Sequence, residues 1–188
     1  KLNAKLLGRG SEVKFNFYTL EEINSMEDFE GLNLRGTPTY GPFIEALGAE
    51  MISMPGGEIY TSLQRGVIDG YGWGHLGIIS EGLHEVTNYV IKPDFYHMDV
   101  VLAMNLDKWN ELDAGTQQIV MDAIEEMQSR LPDVEAEFAA EEQTIFEEKG
   151  IEVIELGDEY RDLAYESAWN WMEQHFPDEF EKMNNLFR

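Results

Sequence analysis

The stretch from Met54 to Gly77, MPGGEIYTSLQRGVIDGYGWGHLG, constrains the fold of this chain more than any other. Pro55, Gly56 and Gly57 break the chain and free backbone N–H groups at a helix start. Glu58 falls in the first turn, where a carboxylate complements the helix dipole. Ile59, Leu63 and Val67 form an apolar stripe, and Gly66 is placed to end the helix. A short strand is expected over residues 67–70. It leads into Tyr71-Gly72-Trp73-Gly74-His75, where large side chains alternate with glycines. In open α/β sheets, ligands bind at the carboxyl ends of strands. The stretch therefore predicts a helix, a strand and a ligand-facing loop.

Composition narrows the classes of function. With 188 residues, 43% hydrophobic and 12% aromatic, the chain has enough apolar surface for a core and is not a disordered polyelectrolyte. A formal net charge of -24 repels nucleic acid and anionic membranes. It does not forbid an anionic ligand, because one buried arginine in a cleft dominates locally. There is no cysteine, hence no disulfide, which is neutral as to compartment. No apolar run approaches the length of a membrane span.

In chain order, residues 1–10 carry little periodicity. Val13, Phe15, Phe17 and Thr19 alternate with polar residues, as in a half-buried strand. Arg9 and Lys14 lie nearby, either facing a cleft or solvated in loops. Ser25 and Asp28 have capping-box spacing. Residues 31–35 predict a strand ending at Arg35. Spacing alone leaves Arg35 balanced between a surface residue at a strand end and a carboxylate clamp, for which the Pro/Gly-punctuated loop TPTYGPF, opening a helix, would add oriented amides. Tyr40, in that loop, either lines a site or packs. A helix over 43–47 and a strand over 49–53 give the order β-α-β-α-β, which predicts parallel pairing with right-handed crossovers. A helix is expected over 75–85 and a strand over 86–91. Lys92-Pro93-Asp94 is expected to turn the chain, with Phe95, Tyr96 and His97 leading into a strand over 100–104. Asp113 caps a helical stripe that runs to Lys149-Gly150, where Pro132 predicts a kink or two shorter helices. A strand over 151–156, an amphipathic helix over 158–176 and a last turn after Pro177 complete the chain.

Three chemistries can be weighed against these residues. Acidic pairs such as Glu125-Glu126 and Glu141-Glu142 are adjacent on a helix, so they do not converge and read as a solvated face. Gly72-Trp73-Gly74-His75-Leu76-Gly77 is formally G-x-G-x-x-G, with Asp94 about 20 residues on as in a dinucleotide fingerprint. Trp73 and His75, however, fill positions where backbone must approach a pyrophosphate. His75, His84, His97 and His175 lack metal-ligand spacing, and neither a G-x-S-x-G elbow nor a nucleophilic cysteine is present.

Four ordered blocks carry a resemblance over residues 25–157: MEDFEGLNLRGTP, FIEALGAEMISMP, PGGEIYTSLQRGVIDG and VVLAMNLDKWNELDAGTQQIVMDA. Together they resemble the DctP-type solute-binding proteins of TRAP (tripartite ATP-independent periplasmic) transporters. The resemblance implies an α/β periplasmic-binding-protein-like lobe, its mostly parallel sheet flanked by helices and followed by long C-terminal helices. It implies a ligand-binding lobe over 1–100, then a hinge strand, a long lobe-bridging helix and C-terminal helices over 101–188. It also implies an earlier lobe ahead of the position matching Lys1, so the expectation is a C-terminal portion carrying half a cleft.

By the same resemblance Arg35 clamps a substrate carboxylate, Trp73 and Tyr71 wall the pocket, and Phe95, Tyr96 and His97 border the hinge, with Tyr40 in the loop that follows Arg35. Phe95 serves equally as a hydrophobic plug. Most family members follow the D-G pair with Gln-Glu-Asn-Pro. This chain has Trp73 at the asparagine position, as a keto-acid-binding branch does, but Gly72 where that branch has a metal-binding glutamate. No metal and no cofactor are therefore expected. An aromatic wall favours a small, partly apolar carboxylate over a polyhydroxylated sugar acid. The implied protein is a non-enzymatic periplasmic subunit working with TRAP membrane subunits. The alternatives are an NAD-binding enzyme domain at Gly72–Gly77 and a helical module that forms homodimers through the C-terminal helices.

Overall fold

The computed structural model describes residues 2–187. In chain order the elements are β1 (Ala4–Thr19), β2 (Asn33–Gly36), α1 (Gly41–Ala46), β3 (Glu50–Ser53), α2 (Ile59–Gln64), β4 (Gly70–Gly74), β5 (Tyr89–Asn105), α3 (Leu106–Glu111), α4 (Ala114–Lys149), β6 (Glu152–Glu155), α5 (Asp158–His175) and α6 (Pro177–Phe187). They make two compact units, each discontinuous in sequence. The first combines the chain up to Val13 with His97–Thr144, and the second combines Lys14–Tyr96 with the chain from Ile145 on.

In the second unit the six strands order as β3-β2-β4-β1-β5-β6. β2 runs parallel to both β3 and β4, and β5 runs parallel to β6. The sheet is thus mostly parallel and flanked by helices, as expected. β1 is the exception, running antiparallel to β4 with Phe15 opposite Gly74 and Thr19 opposite Gly70. The reason lies in the connection from β1 to β2, which holds only a 3-10 turn, Met26–Phe29, and no crossover helix of the kind that parallel neighbours require. In that turn the Asp28 carboxylate accepts from the backbone of Ser25 at 2.9 Å, one half of the capping box.

Both faces of the sheet are covered, so β1 is buried on both sides from Asn16 to Thr19 rather than half-buried. Phe17 points to one face and joins Phe29, Phe43, Phe95 and Tyr160, under α1 and α5. Tyr18 points to the other and joins Ile59, Leu63, Tyr71, Val90 and Phe146, around α2. Each such side chain withdraws enough apolar area to stabilise the fold by about 2 kcal/mol before entropy is counted.

Four local expectations are corrected. Residues 71–74 belong to β4 and not to a loop. Residues 75–85 form 3-10 turns, His75–Gly77 and Leu83–Val86, instead of a helix; Gly82 between them has φ 69°. β5 runs on through Lys92-Pro93-Asp94, where β6 pairing continues to Lys92 opposite Glu155. Pro132 sits inside one continuous helix, α4, so the chain does not divide there into two shorter helices.

The first unit holds the outer halves of β1 and β5, α3 and most of α4. Polar pairs run between its strands, Arg9 with Asp99 and Glu12 with His97. α4 starts at a true N-cap: the Asp113 carboxylate accepts from the backbone N–H groups of Gly115 and Thr116 at 2.9 and 3.0 Å.

Candidate ligand-binding site

Asp69 sets the register that the site depends on. Its carboxylate accepts from the backbone N–H of Asn33 at 2.8 Å, and its own N–H donates to the Asn33 carbonyl at 2.8 Å. This pins β2 against β4 with Leu34 opposite Gly70 and Arg35 opposite Tyr71. Gly70 is required there because a Cβ would come within 2.7 Å of the Tyr18 carbonyl oxygen. The Asp69-Gly70 pair was legible in the sequence as a motif, but its role in aligning two strands was not.

Opposed residues on neighbouring strands point the same way, and side chains alternate along each strand. Arg35, Tyr71 and Trp73 therefore share one face. Arg35 is 6% exposed. Its Nε donates to the Met54 carbonyl at 3.2 Å and its Nη1 to the Gly72 carbonyl at 3.1 Å. Its guanidinium carbon lies 4.9 Å from the centroid of the Trp73 ring. Among the described residues no carboxylate pairs with it. Burial lowers the Arg35 pKa and the nearby Tyr40 hydroxyl opposes that, but a guanidinium stays charged at neutral pH. Two neutral carbonyls thus orient a buried cation while leaving its other N–H groups uncommitted.

The glycines around Trp73 make room for the indole. A Cβ on Gly56 would lie 2.6 Å from Trp73 Cη2, and one on Gly77 would meet Trp73 Nε1. Pro55-Gly56-Gly57 accordingly does more than open α2: it lets the indole lie against backbone. On the opposite face of β4, a Cβ on Gly72 would approach Tyr40 Cδ2 to 2.9 Å and Phe17 Cε1 to 3.2 Å. Any larger side chain at this position would press on both rings.

The expected site residues separate as follows. Arg35 and Trp73 meet, as described. Tyr40 is buried beside Phe15, Phe95 and Tyr96, with ring centroids 5.5, 5.4 and 6.4 Å away. Burial raises its pKa, while a hydrogen bond to Thr37 and the charge of Arg35 lower it. Tyr71 does not wall an open pocket. Its side chain already has partners, its ring 5.2 Å from that of Tyr18 and its hydroxyl 2.6 Å from Thr87 Oγ1.

Phe95 is a packing residue, fully buried with its ring 4.6 Å from Phe17. Tyr96 is committed to α5, where its hydroxyl donates to the Ala164 carbonyl at 3.2 Å and burial pushes its pKa up to about 12. His97 belongs to the first unit, with Nδ1 2.9 Å from a Glu12 carboxylate oxygen. Sequence reasoning missed Met54, whose carbonyl orients Arg35, and Asn16, which is opposite Trp73 on β1 and fully buried.

The dinucleotide alternative fails on geometry. Gly72 and Gly74 are strand residues, Gly72 beneath the packed rings of Tyr40 and Phe17 and Gly74 opposite Phe15 of β1, and the chain after Gly74 forms a 3-10 turn rather than a helix whose N-terminus receives a pyrophosphate. Among the described residues there is no cluster of three or more His, Asp or Glu side chains that would hold a metal ion.

The family model for bacterial extracellular solute-binding proteins, family 7 (DctP), matches residues 1–178. A solute-binding protein of Chromohalobacter salexigens is 27% identical over 178 residues, 91% of this chain and 49% of its own length. A monocarboxylate 2-oxoacid-binding periplasmic protein of Nostoc sp. is 34% identical over 104 residues, 53% of this chain and 28% of its own. The crystal structure of a TRAP periplasmic solute-binding protein from Roseobacter denitrificans with bound L-galactonate superposes with a TM-score of 0.77 at 26% identity, covering 89% of this chain and 57% of that one. The chain thus spans about half the length of the first of these relatives.

Proposed function

Because the chain belongs to the bacterial extracellular solute-binding protein family 7, we propose that it is the ligand-binding portion of a TRAP transporter's periplasmic solute-binding subunit, and that it captures a small organic carboxylate. The observation that carries this reading is Arg35: a buried guanidinium, oriented by two backbone carbonyls and stacked on Trp73, with no acid beside it among the described residues. A buried cation of that kind is stabilised by an anion that offers two oxygens, and a carboxylate does so. Trp73 supplies an apolar wall, which suits a keto or hydroxy monocarboxylate. The 2-oxoacid-binding relative from Nostoc, whose likeness covers 53% of the chain, points the same way.

On this reading residues 1–100 are the second lobe, and residues 101–188 are the hinge strand, the bridging helix and the C-terminal helices. The first lobe completes the cleft, and closure over the ligand excludes water and strengthens the ion pair. The protein performs no reaction, and its partners are the membrane subunits that receive the loaded form. Exposed Trp171 on α5, Phe176 between the two helices and Leu186 on α6 would support self-association, which sedimentation at several concentrations tests.

A thermal-shift panel of carboxylates on the intact protein tests the function. A rise in Tm with small 2-oxo or 2-hydroxy acids supports it. No response to any carboxylate, together with saturable enhancement of NADH fluorescence, contradicts it.

A further inference from the structure

Asn16 is fully buried, and neither its Nδ2 nor its Oδ1 has a hydrogen-bond partner among the described residues. Such groups are rare in folded proteins, because burying an amide without partners destabilises the fold. A leucine of similar volume would avoid the penalty, so packing alone gives no reason for asparagine here.

Its place in the sheet supplies one. Asn16 is opposite Trp73 across the β1–β4 pair, so the two side chains share a face. Arg35 lies on that same face from β2, on the other flank of Trp73, with its guanidinium over the indole. Its β1 neighbours Phe15 and Phe17 point to the opposite face and pack around Phe95. The uncommitted guanidinium N–H groups and the uncommitted amide therefore stand on either side of one aromatic ring. That ring is held in place by Gly56 and Gly77.

We propose that Asn16 is a specificity-determining residue of the ligand site, its amide reading a keto or hydroxyl oxygen close to the carboxylate that Arg35 holds. The inference rests on the carboxylate-binding reading above and sharpens it. An amide both donates and accepts, so Nδ2 donates to a keto oxygen, and a hydroxyl is satisfied by either atom. A site built around a buried polar group discriminates against the analogue that lacks the matching atom, because the group is then left unpaired. A simple alkanoate offers the guanidinium the same carboxylate but no oxygen for the amide.

Calorimetry on the intact protein with 2-oxobutyrate, 2-hydroxybutyrate and butyrate tests this, using wild type, Asn16→Leu and Arg35→Ala. The wild type is expected to bind at least one oxygenated acid about tenfold or more tighter than butyrate, the effect of one net hydrogen bond. Asn16→Leu is expected to bring the acids within about threefold of one another, to leave butyrate affinity in place and to unfold at an equal or higher temperature without ligand. Asn16→Ala carries the same comparison if leucine does not fit. A preference that survives in both variants overturns the role of Asn16, as does a parallel loss of affinity for all three acids. Either result leaves carboxylate capture standing when Arg35→Ala abolishes binding. A wild type that binds none of the acids overturns both.

Discussion

The guanidinium carbon of Arg35 lies 4.9 Å from the centroid of the Trp73 ring, a cation stacked on an indole at one face of the sheet. The stacking holds the cation where its free N–H groups remain available. Replacing the indole by leucine keeps apolar volume and removes the ring. Trp73→Leu is expected to weaken carboxylate binding by about 1 kcal/mol, or roughly fivefold in Kd, by calorimetry. Unchanged affinity would show that the ring does not contribute.

The indole occupies space that only glycine leaves. Gly56 approaches one side of it, so Gly56→Ala must displace either Trp73 or the backbone at the start of α2. Overpacking of this kind costs about 1–3 kcal/mol, and denaturant unfolding should show a loss in that range. Gly57, where a Cβ meets nothing within 4 Å, is the control: Gly57→Ala should be near neutral.

Tyr71 separates core from site. Its hydroxyl bonds Thr87, which in turn donates to the Leu83 carbonyl at 2.8 Å, and burial raises its pKa far above the ordinary phenol value. Tyr71→Phe is expected to lower stability by about 1 kcal/mol while ligand affinity stays within about twofold of wild type. A large loss of affinity at unchanged stability would return Tyr71 to the pocket wall.

His75 gives the site's neighbourhood a pH dependence. Its Nδ1 accepts from the Lys14 backbone N–H at 3.1 Å, which requires the neutral ring. Burial is the main cause that lowers its pKa, and the Lys92 and Lys14 charges act in the same direction; the contact with the Lys14 backbone and the Asp94 charge act against them. A base with a depressed folded pKa contributes stability that is fully present above the unfolded value, about 6.5, and is lost as pH falls through the folded value. Tm should therefore decline below about pH 6.5, less steeply in His75→Gln, and the Lys14 amide should exchange faster on acidification. An identical acid profile in wild type and variant would contradict this.

Much of the layout is legible in the sequence because local signals coincide there with tertiary needs. Gly66 ends α2 with φ 66°, Gly48 follows α1 with φ 75°, and Asp113 caps α4, each at the expected position. Arg35 stands near the end of a strand as read. The failures share a cause. Gly72 and Gly74 look like loop residues because glycine is a breaker in isolation. Within β4, Gly72 is instead required by Tyr40 and Phe17 packed over it, and partners so distant in sequence leave no periodic trace.

Tyr71 and Trp73 are indistinguishable by type and spacing. Only their depth separates them, one locked against Tyr18 and the other reaching Arg35. The run 75–85 keeps helical composition but contains Gly77, which faces the indole, and Gly82, which takes positive φ. Asn16 reads as the polar half of an alternating strand, since nothing local reveals that the second face is also covered.

The account stands on Arg35 holding the ligand's carboxylate. Isothermal calorimetry of the intact protein, wild type against Arg35→Ala, with an acid found to raise its Tm, measures this directly. The expected result is a clear binding isotherm for wild type and none for the variant, with Arg35→Lys intermediate because an ammonium keeps the charge but not the planar fork. Wild-type affinity in Arg35→Ala would contradict the account.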